Sequence, residues 1–505
     1  MSSSVGAAAA ARAVKWSAFT TVARFALQLG AQVALARMLG PGNFGVYGIG
    51  MVVLTFATFL SGSSFSWNLM LLPAVSRNDI RFAFTWQIIA GVVSSAAMYV
   101  LAPLIAGFFG DPRVEGVVQL LSLACMLLAA SGTATCLLQR ELNFRALGLI
   151  QLASYTAGYV AVGVPMALSG YGFHALAVAC VVQAAVALVA SYAVQRHALK
   201  PLFFYPEAAA TLTTGRAVVL TNIVNWMLSN LDRVIIGRLL NAQAVGLYTV
   251  AYNLASIPNA LLLGTLQPTF LSVGAKLQHE PQRLAQAWLQ VMGFVLVLVT
   301  PAALVMALLS HDLVKLLYGS AWSESAWVLS LLFLCLPAWA CWGLSTPVLW
   351  NTGRKHKEFL LQLPLLALAI PAWWLLAGQG IRVVAMVSVA VVVARAIVIV
   401  ATALRALELP WSAVVGPAVR GAGLAVLCAG AVLAGQSAVA GLALPALSLF
   451  AGGAGALVAL ALLVGISPRV LGTSAMGALS RLFPALGRRW SELPATRQVF
   501  GPRPS

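Results

Sequence analysis

Apolar runs of about twenty residues follow one another along almost the whole chain, from residue 16 to residue 466, with only short polar stretches between them. A helix of that length, rising about 1.5 Å per residue, crosses a hydrocarbon core of about 30 Å. In lipid every backbone N–H and C=O must find its partner inside the protein, which leaves helices or closed barrels. Barrel strands alternate with a period of two over roughly ten residues, and these runs do not. The chain is therefore read as an all-α polytopic membrane protein. About fourteen transmembrane helices are expected, at 16–36, 44–72, 82–109, 117–138, 146–168, 172–195, 217–240, 245–274, 285–309, 325–350, 359–378, 383–404, 415–435 and 439–466. Composition agrees, with 61% apolar and 8% charged residues where a soluble domain carries roughly 25% charged. The first run has no small-residue cleavage site after it and is expected to remain in the protein.

Two stretches repeat each other at the junctions of such runs: RMLGPGNFGVY from Arg37 to Tyr47, and RLLNAQAVGLY from Arg238 to Tyr248, 201 positions later. FFGDPRVE, ending at Glu115, resembles LYGSAWSE, ending at Glu324, and LIQL at Leu149 to Leu152 resembles LLQL at Leu360 to Leu363. Three matches in chain order at nearly constant offset indicate a duplicated bundle. Residues 1–200 then form an N-terminal six-helix lobe and 201–410 a C-terminal one, a parallel repeat because six crossings return the chain to its starting side. Residues 411–466 supply two additional helices and 467–505 a basic cytoplasmic tail.

The formal net charge of +18 would point to nucleic acid in a soluble protein, but its distribution follows the membrane. With the N-terminus inside, basic residues favour the cytoplasmic loops by about four to one, which places both termini in the cytoplasm. No nucleic-acid partner is expected. The loops are too short for an extramembrane catalytic domain, and no Lys follows a Gly, so no Walker A phosphate loop exists. Gly40, Gly42 and Gly45 satisfy GxGxxG, but Pro41 interrupts them and the second copy has Asn241 and Gln243 in their place, so they are read as a tight turn. The five histidines are dispersed, and all six cysteines fall inside apolar runs without CxxC spacing. Neither a metal nor a cofactor is expected, and the chain is not read as an enzyme.

Charge inside the apolar runs remains. Arg24 lies about eight residues into the first run, ~12 Å deep by helical rise. An arginine there costs at least ~2.5 kcal/mol unless it meets water or a partner. Thr20, Thr21 and Gln28 stand at helical spacings from it, and its counterpart in the second copy is Asn225, in a run that also holds Asn222, Ser229 and Asn230. Asp232 and Arg233 follow, where the first copy has Ala31 and Gln32, and Arg395 lies mid-run in the twelfth with no acid in that run. Deep arginines with few acids describe a cavity for an anion, so Arg24, Gln28, Asn225, Arg233 and Arg395 are the candidate substrate-binding residues. Asp232 is the candidate for coupling to a proton or sodium gradient. Asp232 and Arg233 are read equally well as ties between helices, and Arg37 and Arg238 as helix-end residues facing the C-terminal dipole.

LARMLGPGNFGVYG after the first run and LDRVIIGRLLNAQAVGLYTVAYNL in the seventh and eighth resemble the polysaccharide transporter branch of the multidrug/oligosaccharidyl-lipid/polysaccharide exporter superfamily, the Wzx-type flippases, over about Val14 to Arg405. The resemblance implies two six-helix lobes around a cationic cavity, in the bacterial inner membrane, that carries undecaprenyl-diphosphate-linked oligosaccharide to the periplasmic leaflet. It also implies partners in polysaccharide polymerase and export machinery, besides the membrane lipids. An ion-coupled drug or cation antiporter of the same superfamily is the nearest alternative, though its cavity would want acids. A membrane polysaccharide polymerase or ligase is a more distant one.

Overall fold

The computed structural model describes residues 2–62, 75–205, 215–277, 280–439 and 444–466, with a few isolated positions besides. The tail expected from residue 467 lies almost wholly outside the described residues, as does the middle of the 196–216 connection. Among the described residues the structure is helical, without strands. In chain order the helices are α1 (Ser2–Gly62), α2 (Arg77–Phe109), α3 (Arg113–Arg140), α4 (Phe144–Leu168), α5 (Phe173–Val194), α6 (Gly215–Leu239) and α7 (Ala242–Lys276). They continue as α8 (Pro281–Leu317), α9 (Ser323–Leu334), α10 (Leu336–Asn351), α11 (Lys355–Leu376), α12 (Ile381–Ala406), α13 (Ser412–Val439) and α14 (Pro445–Ile466).

Among the described residues ten helices are long and apolar enough to cross a membrane, or eleven when the pair α9 and α10, bent by 42° at Cys335, counts as one span. This is a multi-pass membrane protein. The expected number of fourteen rests on including α6 and α7 and on taking α1 as two crossings. Thr20–Ser61 is 42 residues long, about twice what one crossing needs, and Gly40 divides it with φ 72° and ψ 169°. That left-handed backbone suits glycine, and Pro41 begins the second half without an N–H to leave unsatisfied.

By packing, the chain divides into two compact units, Met1–Thr249 and Val250–Ser505. In the first, the duplicated elements lie against each other. A Cβ on Gly45 would fall 1.6 Å from the carbonyl oxygen of Ala242, and one on Gly246 would fall 2.2 Å from the carbonyl oxygen of Pro41. Gly45 and Gly246 are equivalent positions of the two copies, as are Pro41 and Ala242, so each glycine seats the backbone of the other copy. Of Gly40, Gly42 and Gly45, expected to shape a tight turn, Gly40 makes the turn, whereas Gly45, like Gly246, is required by a helix crossing too close for any side chain.

In the second unit, α8, α10 and α12 bury Trp288, Met292, Leu344, Val348, Ile399 and Ala403 as one core. The additional helices α13 and α14 attach through small residues, with Gly421 over the carbonyl of Leu296 on α8 and Gly435 over that of Ala451. Asp312 on α8 adds a polar clasp, accepting from Gln436 Nε2 at 3.1 Å and from Ser448 Oγ at 2.5 Å. All six cysteines are buried and free, as packing residues should be.

Gly45→Ala is expected to destabilise the purified protein by about 1–3 kcal/mol, the usual effect of overpacking. Gly42→Ala, where nothing lies within 4 Å, should leave it unchanged. Thermal unfolding in detergent compares the two, and equal midpoints would remove the crossing as a structural requirement.

Candidate functional site

Arg24 sits half-buried on α1, its guanidinium Nη1 donating to Gln151 Oε1 of α4 at 2.7 Å and its plane 5.4 Å from the Phe25 ring centre. Its Nε is buried without a hydrogen-bond partner. Gln151 is neutral, so it orients the guanidinium without cancelling its charge, and among the described residues Arg24 has no carboxylate partner. One turn along α1, the Gln28 carbonyl accepts from Tyr155 Oη at 3.5 Å. Tyr155 stacks on Tyr159 with ring centres 4.6 Å apart, and Tyr159 shares a 2.6 Å hydroxyl hydrogen bond with Tyr47, the tyrosine that closes the first repeated element. Tyr159 lies in a π-helical stretch, Thr156–Gly163, that immediately follows Tyr155; the wider turn lets two tyrosines four residues apart lie parallel. Arg24, Gln28, Gln151 and the three tyrosines thus form a polar and aromatic seam between α1 and α4.

The residues singled out on α6 fall in the same unit and have local partners. The Asp232 carboxylate, 4% exposed, accepts from the Arg233 backbone N–H at 2.8 Å and from Tyr248 Oη at 2.6 Å. Tyr248 is the tyrosine that closes the second repeated element, so Asp232 ties α6 to the start of α7. Arg233 Nη2 donates back to the Ser229 carbonyl at 3.1 Å. Asn225 is half-buried beside Trp226, whose ring packs 4.8 Å from Phe56 and whose Nε1 reaches Thr55 Oγ1 at 3.4 Å. Arg238 also has a local explanation, its Nη1 donating to the Phe108 carbonyl at the end of α2 at 2.6 Å.

Arg395 belongs to the second unit. It is 4% exposed, its guanidinium 3.6 Å from the Trp342 ring centre. No acid shares its helix, but Glu358, 3% exposed on α11, lies within coulombic reach of it. Glu358 accepts from Trp350 Nε1 at 3.0 Å and from Gln362 Nε2 at 3.4 Å. Glu358 is absent from the sequence reading because it stands one residue outside the expected eleventh run. A signal for it existed in the LxQL repeat: Gln151 and Gln362 are its equivalent glutamines, one holding Arg24 and the other holding the acid that faces Arg395. Among the described residues no group of three or more His, Cys, Asp or Glu could hold a metal ion.

A family model described as polysaccharide biosynthesis protein matches residues 34–327. The chain belongs to this polysaccharide biosynthesis family. Among its relatives is the succinoglycan biosynthesis transport protein ExoT of Rhizobium meliloti (strain 1021), 28% identical over 338 residues that make up 66% of this chain and 67% of that protein. The lipopolysaccharide biosynthesis protein WzxC of Escherichia coli (strain K12) is 26% identical over 323 residues, 63% of this chain and 65% of that protein. The matches thus span about two thirds of the length of these relatives. The fold is shared with the lipid II flippase MurJ in an inward closed conformation, at a TM-score of 0.69 and 12% identity, covering 89% of this chain and 98% of that one. It is shared also with an inward-facing multidrug resistance MATE family transporter of the MOP superfamily, at a TM-score of 0.61 and 13% identity, covering 76% of this chain and 94% of that one. The polysaccharide transporter resemblance read from the sequence is met by the family and its relatives.

The Glu358 and Arg395 charges predict a measurable coupling. In a double-mutant cycle with Glu358→Ala and Arg395→Ala, thermal unfolding should give an interaction energy of about 0.5–3 kcal/mol. Strict additivity would show that the two charges are buried independently.

Proposed function

We propose that this protein is a flippase for lipid-linked oligosaccharide, moving repeat units on an undecaprenyl-diphosphate carrier from the cytoplasmic to the periplasmic leaflet for surface or exopolysaccharide assembly. The observation that carries this reading is Arg24, a half-buried guanidinium oriented by a neutral amide and left with its charge uncancelled. A diphosphate entering an apolar bundle loses its hydration and needs fixed cationic donors in exchange, and the planar guanidinium fork matches its oxygens. The names of the relatives, a succinoglycan transport protein and a lipopolysaccharide biosynthesis protein, support transport over catalysis and a saccharide over a drug.

In this reading Arg24 and Gln28, with Asn225 and Arg233 on α6, contact the anionic headgroup while the polyprenyl tail stays in lipid. Alternating access exposes the headgroup to one leaflet and then to the other. Coupling to a proton or sodium gradient runs through a buried carboxylate, with Asp232 in the first unit and Glu358 in the second as the acids available. Both termini stand in the cytoplasm of a cell whose inner membrane holds the protein, and the delivered repeat units pass to polymerase and export machinery.

Removing the charge is the test. In cells lacking the native copy, Arg24→Gln at matched protein level is expected to lower surface polysaccharide by about tenfold or more, the equivalent of losing a charge-assisted hydrogen bond of roughly 1.5–3 kcal/mol. Arg24→Lys, which keeps the charge without the fork, should fall between. Undiminished polysaccharide with Arg24→Gln would reject the role, and gradient-driven efflux of cationic dyes by the wild type would favour an antiporter.

A further inference from the structure

The basic residues at one end of the first unit are more than a topological signal. Three arginines from separate segments converge on a cavity of about 650 Å³: Arg77 from the start of α2, Arg140 from the end of α3 and Arg196 from the strap that follows α5. Ile80 and Leu137 give it an apolar wall. Among the described residues that line it the one acid, Glu141, is engaged by Gln195 Nε2 at 2.8 Å, and Arg140 is anchored by Nη1, which donates to the Leu69 and Leu72 carbonyls at 2.6 and 2.7 Å. Arg77 and Arg196 are exposed at its mouth.

The strap itself is built against α2. Arg81 donates to the carbonyls of Lys200 and Pro201 at 3.0 and 3.2 Å, Trp86 Nε1 to that of Phe203 at 3.1 Å, and the Leu202 N–H to Thr85 Oγ1 at 2.9 Å. Tyr205 Oη donates to Asp79, and His197 is packed between Phe84 and Tyr192. A strap pinned at so many points nevertheless turns Leu199, Phe203 and Phe204 outward, the phenylalanines 60% and 79% exposed. Outward Phe and Leu side chains beside a basic, partly apolar cavity at the ends of transmembrane helices fit the boundary between headgroups and acyl chains, where such residues insert while Lys and Arg meet anionic lipid.

We propose that this cavity binds the phosphodiester headgroup of an anionic phospholipid of the cytoplasmic leaflet, with Arg77 and Arg196 as its ligands and the Leu199–Phe204 strap seated in the interface. The charge matches: juxtamembrane basic clusters attract anionic lipid, and the apolar wall accommodates the top of an acyl chain. The site is distinct from Arg24, which lies within the helix bundle, and does not depend on the transported substrate.

Native mass spectrometry of the full-length protein from nanodiscs of phosphatidylglycerol and phosphatidylcholine tests this. The wild type should retain phosphatidylglycerol selectively, with retention falling about fivefold for Arg77→Gln or Arg196→Gln and roughly 25-fold for both. Ala198→Glu places a carboxylate at an exposed position on the cavity wall without removing any packing, and should also expel the lipid while leaving thermal stability intact. Equal retention by the wild type and all variants would overturn the proposal. So would displacement of phosphatidylglycerol from the wild type by a short-chain polyprenyl diphosphate but not by excess phosphatidylcholine, which would assign the cavity to the substrate headgroup.

Discussion

A guanidinium inside an apolar bundle has to be solvated by the protein, and the means of doing so decides what the site can accept. Arg24 receives one neutral amide oxygen, from Gln151, and keeps both its charge and free donor capacity. Arg395 is covered by the Trp342 ring and faces a buried carboxylate, Glu358, so much of its field is answered internally. The first arrangement suits an anionic ligand that arrives and leaves. The second suits a fixed electrostatic tie, or a charge balance that changes when the carboxylate takes up a proton.

The duplicated element connects to the seam beside Arg24 through Tyr47, which meets Tyr159 and, by the Tyr155 stack, the Gln28 carbonyl. Gly45 and Gly246 let two helix starts cross at carbonyl contact, and the tyrosine closing each copy then points into its own polar network, Tyr47 to Tyr159 and Tyr248 to Asp232. One short sequence, used twice, therefore sets a crossing and positions two hydroxyls. The copies differ in what those hydroxyls meet, a tyrosine ladder in one and a carboxylate in the other. This difference separates a tyrosine seam between α1 and α4 from a carboxylate joint between α6 and α7.

The membrane class and the helical architecture are legible in the sequence, because long apolar runs leave few physical solutions, and Arg24 stands out there as an isolated deep charge. Gln151 is not, since it meets Arg24 across 127 positions of chain and nothing local marks it. Glu358 hides for a different reason: a carboxylate at the edge of an apolar run reads as a loop residue until the fold shows it 3% exposed. The glycines mislead because spacing alone does not distinguish a turn from a close crossing. The LxQL repeat carried information about both glutamines, but only as a marker of duplication until their partners were in place.

The proposed function is transbilayer movement of an anionic saccharide lipid. The most direct measurement is reconstitution of the purified protein into vesicles carrying a lipid-linked diphosphate oligosaccharide in one leaflet, with its appearance in the other followed under imposed proton or sodium gradients. Movement well above that in protein-free vesicles is predicted. No acceleration under either gradient, with correctly folded protein in the membrane, would contradict it.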